Sequence, residues 1–172
     1  MFKLIACINN KNYIGKDGKL LYHIKNDMAN FKRMTTDNVV IMGRKTFESL
    51  PNKKPFPNRI NIIITSNKEF CIDKCENAYI VSTIQESIEL CETLFDNKDL
   101  YVIGGSSIYK QFLKENLIDT IYLTKVDDDT IGDVDAPEIG KIVSSWKVLY
   151  CSDKMIDKDT NIEYRFQIFK NR

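Results

Sequence analysis

Val39-Val40-Ile41-Met42-Gly43-Arg44-Lys45-Thr46 is the stretch whose reading decides the fold class. An unbroken apolar run suits a strand buried on both faces. A glycine, two cations and a hydroxyl follow at once and open a short helix to about Leu50. Pro51, Pro55 and Pro57 end that helix, because proline lacks the amide proton that a helix interior uses. Tyr101-Val102-Ile103-Gly104-Gly105-Ser106-Ser107 repeats the pattern of strand, glycine and helix start. A helix start presents unpaired N–H donors and a partial positive charge, so it suits a phosphate. Arg44 and Lys45 add cations and Thr46 a hydroxyl, while the paired glycines let backbone approach something flat or anionic. Neither turn is a Rossmann or Walker fingerprint, and a plain tight turn accounts for either one alone. Two of them in one small chain suggest a pyrophosphate lying across the edge of a sheet.

Working outward, short apolar runs at Lys3–Ile8, Ile60–Thr65, Leu100–Ile103 and Thr120–Val126 read as strands, with a weaker one at Tyr79–Val81. Helices are expected around Lys25–Thr35, at Thr83–Leu94 and from the paired glycines through Leu113. Thr83 and Glu86 resemble a capping box. Two terminal strands, near Trp146–Ser152 and Glu163–Phe169, suit an antiparallel pair. Asn9–His23, with Gly15 and Gly18, reads as a long loop, and loops of that length are often functional. Alternating strands and helices predict an α/β fold of three layers. The central sheet is mainly parallel with an antiparallel C-terminal strand, and helices cover both faces. Residues 1–172 read as a single domain, with ligands at the carboxyl ends of the strands.

The chain has 172 residues, a net charge of +1, 43% hydrophobic and 28% charged residues, which argues against a nucleic-acid or membrane partner. Charge is nevertheless uneven. Residues 44–59 hold Arg44, Lys45, Lys53, Lys54 and Arg59 against Glu48 alone, whereas 127–138 hold six acids and no base. Solvated loops are the usual explanation, although the helix start in the basic stretch favours an anionic ligand. Cys7, Cys71, Cys75, Cys91 and Cys151 follow no disulfide framework and sit far from the single His23. Reduced thiols, no metal and a cytoplasmic location are expected. The opening apolar run is too short for a signal-peptide core, and no stretch approaches a membrane span.

Asp27 is the anomaly. In Asn26-Asp27-Met28-Ala29-Asn30-Phe31-Lys32-Arg33-Met34, Met28, Phe31 and Met34 turn toward the interior, and Asp27 lies one turn below Phe31. A carboxylate there is costly to ionise unless something polar pairs with it. The plain alternative is a helix cap from Asn26 or Asp27.

Together these segments closely resemble dihydrofolate reductase of the bacterial type, over nearly the whole chain and in matching order. The resemblance rests on Leu4-Ile5-Ala6, Ile14-Gly15, Asp27 with Phe31-Lys32-Arg33, Val40 to Ser49, Pro57-Asn58-Arg59, Ile103-Gly104-Gly105, Ile108-Tyr109 and Tyr122-Leu123-Thr124. It implies reduction of dihydrofolate by NADPH, with hydride to carbon 6 and a proton to nitrogen 5. Asp27 would accept hydrogen bonds from the pterin's 2-amino group and N3, with Thr124 in support. A water near Leu20 and Tyr22 would carry the proton. Ile5, Ala6, Met28, Phe31, Leu50 and Ile103 would wall the pterin and aminobenzoyl rings, with Lys32 beside them. Arg59 would clamp the glutamate tail. Arg44, Thr65 and Ser66 would surround the cofactor 2′-phosphate. Lys45, Thr46, Ser49 and the backbone of Gly105, Ser106 and Ser107 would hold the pyrophosphate. Ala6, Cys7, Ile14 and Tyr109 would place the nicotinamide, and Gly15, Gly43, Gly104 and Ile108 would also border the cofactor. The resemblance also implies antifolate inhibitors that pair with Asp27, and the lack of an obvious extra interface segment favours a monomer. Asp133 matches a position that hydrogen-bonds the Gly15 loop when closed, and Asn161 one that could hold it otherwise.

The chain departs from the family pattern at Leu21 and Tyr22, where proline and tryptophan are usual, at Lys25, and at Ser107 in place of a cation. The nearest rival is a reductase of the riboflavin pathway on the same fold, and the rival of another class is a non-catalytic nucleotide-binding protein. Asp27, Phe31 and Arg59 together favour folate.

Overall fold

The apolar runs form the strands that their composition predicts, and four short strands, at Tyr13–Lys16, Lys19–Leu20, Val134–Asp135 and Met155–Ile156, are added to them. The computed structural model describes residues 1–73 and 75–171. In chain order the elements are β1 (Phe2–Ile8), β2 (Tyr13–Lys16), β3 (Lys19–Leu20), α1 (Lys25–Thr35), β4 (Val39–Gly43) and α2 (Arg44–Glu48). Then come a 3-10 turn (Pro51–Lys53), β5 (Ile60–Ile64), β6 (Ala78–Val81), α3 (Ile84–Leu94), β7 (Leu100–Gly104) and α4 (Ser106–Lys114). The chain continues with β8 (Ile118–Val126), β9 (Val134–Asp135), α5 (Pro137–Val143), β10 (Lys147–Cys151), β11 (Met155–Ile156) and β12 (Glu163–Lys170).

The main sheet runs in the order β10-β12-β8-β1-β7-β4-β5-β6, with β11 against β12. From β8 to β6 every pairing is parallel. β12 runs antiparallel to β8 and β10 antiparallel to β12, so the antiparallel end is the terminal hairpin. Parallel strands need crossovers that cover the faces. One face packs Leu4, Ile41 and Val102 under residues of α3, α4 and α5 such as Cys91, Phe112 and Ile139. The other packs Val40, Met42, Ile63 and Tyr101 under Phe47 of α2 and Met34 of α1. Because β7 lies between β1 and β4, the carboxyl ends of these three strands open side by side, where ligands of such sheets bind.

Two expectations need correction. Asn9–His23 is not an open loop: β2 and β3 form a small antiparallel hairpin, and β9 joins it through Tyr13–Asp135 and Gly15–Val134. Runs this short give little periodicity, and their partner lies over a hundred residues away. Helix α5 is an addition to the expected elements, because the acidic run before Pro137 masks its start; Pro137 occupies the first turn, where its missing amide proton costs nothing. The box at Thr83 forms as expected: the Glu86 amide donates to Thr83 Oγ1 at 3.1 Å, and the Ser82 amide to Glu86 Oε2 at 2.7 Å.

Candidate active site

Helix α1 carries Asp27 without using it as a cap. Ile24 is the N-cap, with no side-chain cap hydrogen bond, so the capping alternative for Asn26 and Asp27 does not hold. Asp27 sits in the first turn and reaches across to β8, where Thr124 Oγ1 donates to Asp27 Oδ1 at 2.5 Å. Burial raises the Asp27 carboxyl above its usual value, and the Thr124 hydrogen bond opposes that rise. The pair opens on a cavity of 740 Å³ whose lining includes Ile5, Phe31, Met34 and Tyr122. That volume lies within the range of small-molecule pockets.

A second cavity, of 830 Å³, runs along the carboxyl ends of β1, β4, β5 and β7. It brings together Cys7, Ile14, Gly15, Gly43, Arg44, Lys45, Thr46, Ser49, Thr65, Ser66, Gly105, Ser106, Ser107, Ile108 and Tyr109 from five separate segments. Leu20 and Ile103 also line it, together with Ser82, Thr83, Gln85 and Gln111, which the sequence reading missed. Ser82, Thr83 and Gln85 follow a weak strand and have ordinary loop and helix-start composition, so the parallel pairing of β5 and β6 is what reveals them, whereas Gln111 comes with α4. Two glycines allow close approaches here, and at Gly104 the backbone itself calls for glycine. Gly104 has φ of +110°, and a Cβ there would lie 3.0 Å from the Tyr109 ring; a Cβ on Gly43 would lie 3.1 Å from Ile108. The hydroxyls, cations and close-approach glycines fit a long phosphate-bearing dinucleotide. Arg44 is not free in this cleft, since Nη1 donates to both carboxylate oxygens of Glu48 at 2.8 and 3.0 Å.

The two cavities meet at β1. Ile5 lines the first and Cys7 the second, because residues two apart share a face of a strand. Ala6 points to the opposite face and packs in the core under α3 to α5, so its methyl group walls neither cavity. Tyr109 bridges the pair, its hydroxyl donating to the Ile5 carbonyl at 2.7 Å. Burial, and then the Asp27 charge, push the Cys7 thiol well up, which keeps it protonated and unreactive.

The remaining expected residues divide. Arg59 is 7% exposed, stacks 4.8 Å over Phe56, and donates from Nη1 to Thr35 Oγ1 at 3.3 Å. Among the described residues no carboxylate pairs with it, and burial lowers its pKa. A buried guanidinium of this kind suits a carboxylate ligand. Phe31 packs against Phe56 at 5.4 Å, which links the Asp27 cavity to Arg59. Leu50 packs beside them, Met28 is partly buried, and Lys32 is exposed. These three and Gly104 line neither cavity.

Tyr22 differs from its expected role. Its ring is buried with Ile24, Val126 and Tyr164, and its hydroxyl donates to Asp128 Oδ2 at 2.5 Å while accepting from Asn9 Nδ2 at 3.0 Å. Burial, with Asp128 next, pushes the phenol up to about 12. The hydroxyl is therefore committed to the acidic loop rather than to a proton-carrying water. Asp133 does meet the Gly15 hairpin: its carboxylate accepts from the Asp17 amide at 2.8 Å, and its own amide donates to the Gly15 carbonyl at 3.1 Å.

Comparison with known proteins decides between the readings of this site. The family model described as dihydrofolate reductase matches residues 1–171. The chain belongs to the dihydrofolate reductase family. A dihydrofolate reductase of Bacillus subtilis is 31% identical over 172 residues, covering 100% of this chain and 95% of that protein. One from Buchnera aphidicola of Schizaphis graminum is 36% identical over 165 residues, covering 96% of each. Among solved structures, dihydrofolate reductase from Enterococcus faecalis complexed with NADP(H) and RAB-propyl superimposes with a TM-score of 0.83. It is 27% identical, with 99% of this chain and 95% of that one covered. The activity is that of the dihydrofolate reductase family, reduction of dihydrofolate with NADPH as donor. Among the described residues no helix is long and apolar enough to cross a membrane, and no cluster of His, Cys, Asp or Glu suits a metal ion.

Proposed function

We propose that the Asp27 cavity holds the pterin of dihydrofolate and that the cleft at the strand ends holds NADPH. The observation that carries this reading is the half-buried Asp27–Thr124 pair, which lines the cavity that Ile5 of β1 also lines, with Cys7 of the same strand in the cleft beyond. The Asp27 carboxylate accepts two hydrogen bonds from the 2-amino group and N3 of the pterin, a two-point contact that fixes the ring's orientation. Thr124 holds one carboxylate oxygen in place. Ile5, Phe31 and Met34 exclude water from the ring, and Arg59 receives the α-carboxylate of the glutamate tail. NADPH, when bound, supplies the hydride that reaches carbon 6. Arg44, Thr65 and Ser66 hold its 2′-phosphate, and Lys45, Thr46, Ser49 and the Ser106–Ser107 helix start hold its pyrophosphate.

Asp27 pairs with the pterin edge and does not itself deliver the proton to nitrogen 5. A water beside exposed Leu20 carries it, and Tyr22 contributes by anchoring that segment to Asp128. The Asp133 contacts close the Gly15 hairpin over the cleft, where Gly15, Leu20 and Val134 form its outer wall. The protein works as a cytoplasmic monomer, and diaminopyrimidine antifolates pair with Asp27 as the pterin does.

Mixing purified protein with NADPH and dihydrofolate and following the loss of NADPH absorbance tests the reading. Prompt oxidation that Asp27→Asn strongly reduces is expected. Intact folding and NADPH binding without oxidation would overturn it in favour of a non-catalytic nucleotide-binding role.

A further inference from the structure

Between the 3-10 turn and β5 the chain runs from Lys54 to Arg59 in neither helix nor strand, yet two side-chain amides hold it. Asn61, fully buried in β5, donates from Nδ2 to the Phe56 carbonyl at 3.0 Å and to the Arg59 carbonyl at 3.1 Å. Asn77, the residue before β6, donates from its own Nδ2 to the same two carbonyls at 3.0 and 3.1 Å. Asn61 Oδ1 accepts from the Phe56 amide at 2.9 Å, and the Asn61 amide donates to the Asn77 carbonyl at 2.8 Å, which ties the two asparagines together. A carbonyl oxygen has two lone pairs, so the two amides fill the acceptors of both residues.

Phe56 and Arg59 are also the two residues whose side chains stack, with the guanidinium 4.8 Å from the ring centroid. Holding their carbonyls together therefore fixes where the guanidinium lies over the ring. Two further contacts set its rotation: Nε donates to the Pro57 carbonyl at 3.0 Å, and Nη1 to Thr35 Oγ1 at 3.3 Å. Thr35 gives its own hydroxyl proton to the Phe31 carbonyl at 2.8 Å, which leaves its oxygen to accept from Arg59. Among the described residues Nη2 donates to nothing, and one hydrogen of Nη1 is free as well. The open donors form the end of the guanidinium fork, a geometry that takes both oxygens of one carboxylate.

We infer that Asn77 is a positioning residue for substrate binding: with Asn61 it clamps the turn from Phe56 to Arg59 and presets the open end of the Arg59 fork for the carboxylate of the folate tail. The inference rests on the reading that Arg59 receives that carboxylate. Asn77 is half-buried, and without its amide each carbonyl keeps Asn61 as a partner, so no buried acceptor is orphaned. Loss of Asn77 therefore loosens the turn while the fold persists.

Steady-state kinetics with two substrates is the test. Dihydrofolate carries the tail, whereas 6-methyl-7,8-dihydropterin carries the same reducible ring and no tail. Asn77→Ala should raise KM for dihydrofolate about threefold to tenfold, the scale of one hydrogen bond, with kcat little changed. KM for methyl-dihydropterin and for NADPH should match the unsubstituted protein, which a general loss of structure would not allow. Asn77→Ser serves the same purpose should the first variant fail to fold. Added to Arg59→Ala, Asn77→Ala should raise KM for dihydrofolate no further, because both act on one contact. Equal rises for the two substrates, no rise for either, or a full further rise in the Arg59→Ala background would overturn the role of Asn77 and leave the tail reading intact. An Arg59→Ala variant with unchanged KM for dihydrofolate would remove the tail from Arg59, and the inference would fall with that reading.

Discussion

In the cleft at the strand ends the binding groups are many and shallow: hydroxyls, helix starts and exposed cations from five segments, with Arg44 already satisfied by Glu48. In the Asp27 cavity they are few and largely withdrawn from solvent, one carboxylate held by one threonine, with a buried guanidinium beyond Phe31 that pairs with no carboxylate among the described residues. The first arrangement spreads affinity over a long ligand, so no single group dominates. The second concentrates orientation and charge on single atoms, where burial strengthens each interaction and makes its loss expensive.

Five variants test that contrast, beginning with the largest effect. Asp27→Ala removes two charge-assisted hydrogen bonds to the pterin, and at roughly 2 kcal/mol each kcat/KM falls about a thousandfold. A loss under tenfold in steady-state assays would erase the contrast. Arg59→Lys keeps the charge but loses the planar fork, and KM for dihydrofolate rises about tenfold to thirtyfold with kcat little changed. A fall in kcat with KM unchanged would move Arg59 away from the tail.

Tyr22→Phe deletes a donor to Asp128 and costs about 1–2 kcal/mol of stability, visible as a lower thermal midpoint, with turnover reduced less than about fivefold. Collapse of turnover at an unchanged midpoint would return the phenol to the chemistry. Asp27→Asn separates function from stability. Because burial raises the carboxyl in the folded state, the native protein binds more protons than the unfolded chain between the usual carboxylate value and the raised one. Stability from this group therefore falls as pH rises through that window and returns in acid. Asp27→Asn should raise the midpoint at neutral pH, with the advantage vanishing in acid; a pH-independent difference would contradict the burial cost. Arg44→Gln should raise KM for NADPH only about twofold to fivefold, because Glu48 already shares the guanidinium and exposed pairs contribute little. A hundredfold rise would show that one group dominates the cleft after all.

The parts of this molecule differ in how openly the sequence displays them. The strand-to-helix turns at Gly43 and Gly104 were legible, because buried parallel strands need unbroken apolar runs and a close backbone approach needs glycine. Asp27 stood out as a carboxylate beside apolar helix positions. The family resemblance then supplied most of the cleft at the strand ends: fifteen of the residues it implies for the cofactor line one cavity. The β2–β3–β9 sheet, the α5 helix and the Ser82–Gln85 wall were not legible. Their periodicity is weak, and their partners lie far away in sequence.

Local chemistry, written in the chain itself, determined the strand runs, the helix starts and the presence of one costly carboxylate. Tertiary structure alone decided which way side chains turn: Ala6 into the core while Ile5 and Cys7 each line a cavity, the Tyr22 hydroxyl to Asp128, Arg44 to Glu48, and the back of α1 to an open cavity. The physical reason is range. Propensity and capping act over a few neighbouring residues, whereas a hydroxyl's partner 106 residues away exists only once the sheet has brought the two together.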